Sequence, residues 1–429
     1  MKRPIVITLL VLALLFVLAG IGAVVFFTVR NVGSFVLEQT YVAVTAEESK
    51  TLKVEEGTVR LVVDDGAGNI TVTGSDGDTV EVEVLKTGSA PTRAQAEKDL
   101  QDIQYNISQD GNTITISYEL DKIKTKHVDT VDFTISVPVE TSVDVETSLG
   151  EVSVSGIIGD TIITNDFGAI SAENITGALS ANSKSGRLAV HSVKAEGQDV
   201  DIHSGFGQVT ADQLSGKNIS ITSSSGTIEL NNIRATGDLL TSSDFGNITY
   251  ENGSSASLDV GTKSGKVSIT KVNIRSELKI QNDFGEIELV QAMAGSYDIH
   301  TNSGSIDVDG AQNSLKAHTD FGSIIIKNAE STTLDLDTQS GTIEFSGSLG
   351  EGPHTVNSDF GQIDLFIPTD TELKMSLETD FGTISSEIPI TVILEGNLEK
   401  NKQEGTINGG GDLLTVKTKS GDINIAAIE

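Results

Sequence analysis

Ile280-Gln281-Asn282-Asp283-Phe284-Gly285-Glu286-Ile287-Glu288-Leu289 is followed by Ile299-His300-Thr301-Asn302-Ser303-Gly304-Ser305-Ile306-Asp307-Val308, and the two read as one unit written twice. Matching glycines recur at 150, 168, 186, 207, 226, 246, 265, 285, 304, 322, 341, 361, 382 and 421. The intervals are 18 to 21 residues, with a last interval of 39, or two units. Two residues after each Gly stands an aliphatic residue, from Val152 to Ile423. Five before it the column is apolar except at Thr241. Three before it every residue is Ser, Thr or Asn. Positions −7, −5, −3 and −1 are specified while −6 and −4 vary, and the same alternation resumes at +2 and +4. A period of two is a strand. The unit is therefore strand, Gly corner, strand, and a short third segment.

A unit of about 19 residues cannot close a core alone, whereas stacked units can. Parallel strands stacked at ~4.8 Å place each residue over its own counterpart, so column identity becomes a physical requirement. The predicted fold is all-β: a parallel β-helix, or β-solenoid, of about 19-residue coils. Pro is absent from 139 to 352, as an unbroken ladder demands. The −3 hydroxyls and amides are expected to bond to one another along the stack.

Asp-Phe-Gly occurs six times, at Phe167, Phe245, Phe284, Phe321, Phe360 and Phe381. A kinase would need a Gly-rich loop, a catalytic Lys and a His-Arg-Asp motif, none of which accompanies it. Instead Phe alternates with Ser at −1, through Ser185, Phe206, Ser225, Phe245, Ser264 and onward. Rings on every second coil have about 9.6 Å each. The −2 column alternates as well, with Asp166, Asp244, Asp283, Asp320 and Asp359 separated by Lys184, Lys263 or uncharged residues. Spacing like charges apart relieves repulsion. The row is read as structural rather than as a calcium site. The alternation fails between Phe360 and Phe381, which predicts that the regular stack ends or loosens there.

Composition narrows the function. Of 429 residues, 61 are acidic and 29 basic. Nucleic acid is excluded as a partner, because phosphate requires a positive surface. With no Cys, thiol catalysis, Cys-ligated zinc, disulfides and a lipoprotein anchor are excluded. The uncharged run Ile5–Val29, between Met1-Lys2-Arg3-Pro4 and Arg30, would span a bilayer as an uncleaved helix of ~37 Å, the alternative being a signal cleaved near the small-residue stretch Ala19-Gly20-Ile21-Gly22-Ala23. Its basic flank predicts N-terminus cytoplasmic and the rest extracytoplasmic. Only Lys2, Arg3 and Arg30 of the bases precede residue 33. The remainder thus has 26 bases against 61 acids, a formal −35.

The organisation expected is a cytoplasmic 1–4, a transmembrane helix 5–29, a juxtamembrane linker and first strand 30–54, a capping β region 55–140, regular solenoid 141–384, and an irregular segment with a final coil 385–429. Within 55–140, Pro91 to Ile103 predicts a helix capped by Thr92. Strands are expected at Val59–Val63, Ile70–Thr73, Val80–Leu85, Thr113–Tyr118 and Val131–Val137. The apolar Ile388–Leu394 is expected to flank or cover the last coils.

Thr406-Ile407-Asn408-Gly409-Gly410-Gly411, the later Thr418-Lys419-Ser420-Gly421-Asp422-Ile423, and Gly68-Asn69-Ile70-Thr71-Val72-Thr73-Gly74 carry a family likeness. With the serial Asp-Phe-Gly and Ser-Gly units, they resemble the bacterial adhesin-like "toast-rack" domains of unknown function over roughly 55–429. The resemblance implies a right-handed β-helix on the cell envelope, in some cases linked to envelope stress. It transfers no functional residue. No catalytic, cofactor or metal residue is assigned, because nearly every Asp sits in a repeating column and no nucleophile–base constellation occurs. His203, His300 and His318 share the outward −4 position, and two imidazoles make no complete metal site. The expected function is a non-enzymatic, membrane-anchored surface module binding a glycan or another envelope component. Two alternatives are an envelope-stress accessory acting through a membrane-protein partner, and a polysaccharide-acting β-helix enzyme.

Overall fold

The computed structural model describes residues 41–120, 128–392 and 401–428. The apolar run Ile5–Val29 and the basic residues around it lie outside the described residues. Among the described residues, no helix is long and apolar enough to cross a membrane. Two compact units are distinguished. The smaller holds the helix Arg93–Asp102, opened by Thr92, whose Oγ1 accepts from Gln95 N at 3.4 Å.

The larger unit is an all-β parallel solenoid. Strands before the Gly form one wall, in which Thr161–Phe167, Leu179–Ser185 and Val200–Phe206 pair in parallel and in column register: Ile163 with Ala181, Ala181 with Ile202. Strands after the Gly form a second wall, with Ile170 beside Leu188 and Leu188 beside Val209. The side chains at −7, −5, −3, +2, +4 and +7 point inward. At +2 they are buried from Val152 through Ile363, and Ile423 is buried too.

A second corner lies at +6. Asn174, Ser192, Gln213, Asn232, Asn252, Lys271, Gln291 and Asn328 all adopt φ between +50° and +56° there, and Gly156 and Gly310 take the same place in their coils. Asn and Gly tolerate this left-handed conformation best. It turns the chain into the short third segment, where Ile175 stacks on Val193 and Val193 on Leu214.

The −3 residues do not bond to one another. Most donate instead to the corner carbonyl of the neighbouring coil: Asn165 Nδ2 to Gly150 O at 2.8 Å, Asn282 Nδ2 to Gly265 O at 3.0 Å, Thr338 Oγ1 to Gly322 O at 3.0 Å, whereas Thr147, Ser183, Ser204, Ser223 and Thr301 have no side-chain partner. This corrects the expected side-chain ladder. At ~4.8 Å the nearest acceptor is a backbone carbonyl that the Gly corner leaves pointing along the stack.

The stack does not loosen at Phe360. Asp412–Ser420 inserts between His354–Phe360 and Leu373–Phe381, parallel to both, so that Phe360 and Phe381 each lie against Ser420. The next wall repeats this order, with Ile423–Ile428 between Ile363–Pro368 and Ile384–Ser386. Thr379 Oγ1 accordingly reaches Gly421 O at 2.9 Å, and Thr418 Oγ1 reaches Gly361 O at 3.1 Å. The 39-residue interval is a return of the chain to a level it had skipped. The other end is built in the same way: Val59–Asp65 lies between Thr113–Tyr118 and Thr141–Leu149.

Both outer strands of the first wall are closed by antiparallel partners. Tyr105–Asp110 pairs with Thr113–Tyr118, and Lys402–Ile407 pairs with Leu373–Phe381. Thr391–Val392 then adds antiparallel to Lys402–Ile407. The segment after Ser385 thus does cover the last coil, although residues 393 and 394 of its apolar stretch lie outside the described residues. Antiparallel closure blunts an edge that would otherwise template another chain.

Candidate binding face

The corner decides which side chains face solvent. Along each first-wall strand burial alternates as far as −3, and then −2 and −1 both turn outward. The inside of the corner is already filled by the buried −3 side chain. Phe at −1 therefore cannot turn in, and strict alternation fails there. Phe167, Phe206, Phe245, Phe284, Phe321, Phe360 and Phe381 are 56–80% exposed. They are seven of the 14 phenylalanines of the chain. By contrast Phe133 and Phe345 are fully buried.

These seven rings form one row. Phe167 pairs with Ser185, Ser185 with Phe206, and so on through Ser340, Phe360, Ser420 and Phe381 without a break. Twelve strand spacings at ~4.8 Å give about 58 Å. The glycines beside the row sit carbonyl against Cα. A Cβ on Gly226 would overlap the carbonyl oxygen of Gly207, and one on Gly421 that of Gly361.

On one flank runs the −2 row. Lys184 Nζ lies 2.6 Å from Asp166, Lys263 Nζ 2.9 Å from Asp244, and Lys419 Nζ 2.8 Å from Asp359. Asn302 and Gln339 donate to Asp283 and Asp320 where no Lys intervenes. On the other flank, at +1, stand Gln208, Asn247, Glu286 and Ser323. Lys266 Nζ is 3.1 Å from Glu286 and 2.6 Å from Glu288, and these carboxylates raise its pKa.

The histidines at −4 are partly brought together. The rings of His300 and His318 stack at 5.0 Å and 4°. His318 Nδ1 is 2.9 Å from Asp337 Oδ2 and its Nε2 3.3 Å from Asp320 Oδ1, while His300 Nε2 meets Asn302 Oδ1 at 3.1 Å. Among the described residues, no group of three or more metal-ligating side chains could hold a metal ion. His203 stands apart, with Nδ1 2.9 Å from Thr222 Oγ1. On the outer second wall a shallow groove of about 630 Å³ holds His191, whose Nδ1 is 3.0 Å from Asp212 Oδ2.

Reasoning from strand periodicity alone did not identify the exposed ridge, because it grouped −1 with −7, −5 and −3 as one specified set without assigning it a side. The signal was nevertheless present: Phe alternating with Ser is not how a buried column is filled.

Fold and ridge together define a class: an all-β parallel β-solenoid whose corner repeats present a continuous mixed apolar and polar ridge. The chain belongs to the Toastrack family, DUF4097, whose description matches residues 58–273 and 249–426. The two matches overlap, as expected of a repeat that runs on without a domain boundary. None of the curated proteins matches the chain. Two solved structures are similar in part. A Clostridium sporogenes protein named as a candidate cell adhesion protein shares 11% identity, with 90% of this chain and 100% of that one covered, at a TM-score of 0.20. A candidate adhesin from Bacteroides fragilis shares 18%, with 66% and 97% covered, at a TM-score of 0.32. Neither score reaches the level from which a shared fold is inferred.

Proposed function

We propose that this protein is a membrane-anchored, extracytoplasmic binding module of the adhesin type, acting by surface recognition rather than catalysis. The exposed Phe row carries this reading. Exposed apolar residues are ordinarily scattered singly, whereas seven exposed rings aligned in one row mark an interaction surface. Three further features support it. Family membership fits an envelope β-solenoid. The Ile5–Val29 run with its basic flank suits a single-pass anchor that leaves the solenoid outside. The formal −35 of the chain after residue 33 keeps a long, regular surface soluble and off anionic lipid.

The test uses the full-length chain in its native membrane. Alkaline extraction should leave it in the membrane fraction, and a membrane-impermeant amine reagent should label its lysines on intact cells. Purified in detergent, the chain should be retained on isolated envelope material. Labelling only after lysis, or no retention on any envelope fraction, would overturn the proposal.

A further inference from the structure

We infer that the Phe row is a binding track for a neutral, extended β-1,4-linked pyranose polymer, one ring of the protein under every second sugar. This deepens the binding-module reading and rests on it. The inference begins with spacing. The rings recur at two strand spacings, about 9.6 Å. In an extended β-1,4-linked chain successive sugars are flipped, so every second sugar turns the same C–H face to one side. The rise of that disaccharide repeat is slightly longer than two strand spacings, so sugars and rings stay in phase over a few repeats at a time. The Ser residues between the rings leave room where the intervening, flipped sugar passes.

The chemistry of the ridge agrees. An aromatic face accepts the axial C–H groups of a pyranose, while its hydroxyls need hydrogen-bonding partners at the edges. Those partners line both flanks: Asp283 and Asp320 at −2, and Gln208 and Asn247 at +1. The acidic balance selects against polyuronates and phosphodiester polymers, which would meet repulsion along the whole track. It also weighs against a second copy of the same strongly acidic chain as the occupant. The row is continuous over about 58 Å, so contacts too weak singly would add along one polymer strand.

The full-length chain in detergent is mixed with insoluble chitin and with cellulose, and in parallel with amylose, pectate and native envelope material. The variant Phe245→Ser/Phe284→Ser/Phe321→Ser converts three rings to the residue of the coils between them. Glu173→Ser, in the second-wall groove and away from the row, is the control. The expected result is retention on chitin or cellulose, none on amylose or pectate, at least a tenfold loss in the triple variant, and no change in the control. Because these rings are exposed, the triple variant should keep the Tm within about 2 °C. Unchanged retention of the triple variant would overturn the assignment of the track. Retention on envelope material but on neither neutral glycan would overturn the ligand class alone and leave the binding-module reading standing. Retention on nothing would overturn both. A dimer in sedimentation that the triple variant abolishes would overturn the glycan track and assign the row to self-association.

Discussion

Asp65 stands where the other coils place Ser, Thr or Asn: it occupies the −3 position of the Gly68 corner and pairs with Thr147. It is buried; Oδ1 accepts from Ala67 N at 3.2 Å, and Oδ2 has no partner. Burial, with Asp132 and Asp64 nearby, raises its pKa to about 7. The folded protein thus holds a proton that the unfolded chain releases near pH 3.8, so this contribution is complete below that pH and is lost as pH rises through about 7. The displacement corresponds to about 4 kcal/mol. Asp65→Asn should therefore raise the denaturation midpoint at pH 8 and leave it unchanged near pH 4, as urea melts at the two pH values would show. Equal effects at both would disprove the assignment. His354 has the opposite sign: buried at −7 among apolar residues, it has a lowered pKa, and its contribution is lost as pH falls. The −3 column supplies a second residue-scale contrast. Thr319 Oγ1 donates to Gly304 O at 3.1 Å, whereas buried Thr301 Oγ1 has no partner. Thr319→Val should cost about 1 kcal/mol, and Thr301→Val nothing or less. The need for a small polar residue at −3 was legible in the sequence. Its acceptor was not, because a backbone carbonyl leaves no trace in residue identity.

The strand Asp412–Ser420 belongs to the C-terminal end of the chain but lies inside the stack, paired on both sides. Terminal repeats of a solenoid ordinarily fray first, since they have one neighbour. Hydrogen exchange should instead find the amides of Asp412–Ser420 as protected as those of Leu258–Ser264 in the middle. Exchange at the rate of an unpaired edge would contradict the insertion. Deleting 412–428 should strip protection from Leu373–Phe381 as well, because that strand then loses its parallel partner. The corner glycine is the other element-scale device. A Cβ on Gly226 meets backbone that cannot step aside, so Gly226→Ala should cost about 3 kcal/mol, read as a drop in Tm. The insertion was written in the sequence without being readable as such: Phe360 and Phe381 break the Phe–Ser alternation, as do Asp359 and Asp380. Only Ser420 and Lys419, placed between them, restore both.

Across the whole described solenoid, the acidic excess is managed by order rather than by number. Lys184, Lys263 and Lys419 each sit beside an Asp of the same row, and amides serve Asp283 and Asp320. Calcium at millimolar concentration should consequently raise Tm no more than a monovalent salt of equal ionic strength, which thermal melts in matched buffers would check. A larger, saturable rise would reveal a cation site in the Asp row. The sequence by itself determined the coil: its length, its two strands, its Gly corner, its inward columns and its parallel register. Each of these follows from contacts between a residue and its own counterpart one coil away, so the repeat had to record them. Only the tertiary structure decided three other matters: which way Phe points at −1, where the chain turns left-handed at +6, and in what order the end coils stack. These depend on how a filled corner displaces its neighbours and on which segment returns to an open level. The pairings of the C-terminal coils span 39 to 60 residues, too far for a local pattern to encode them.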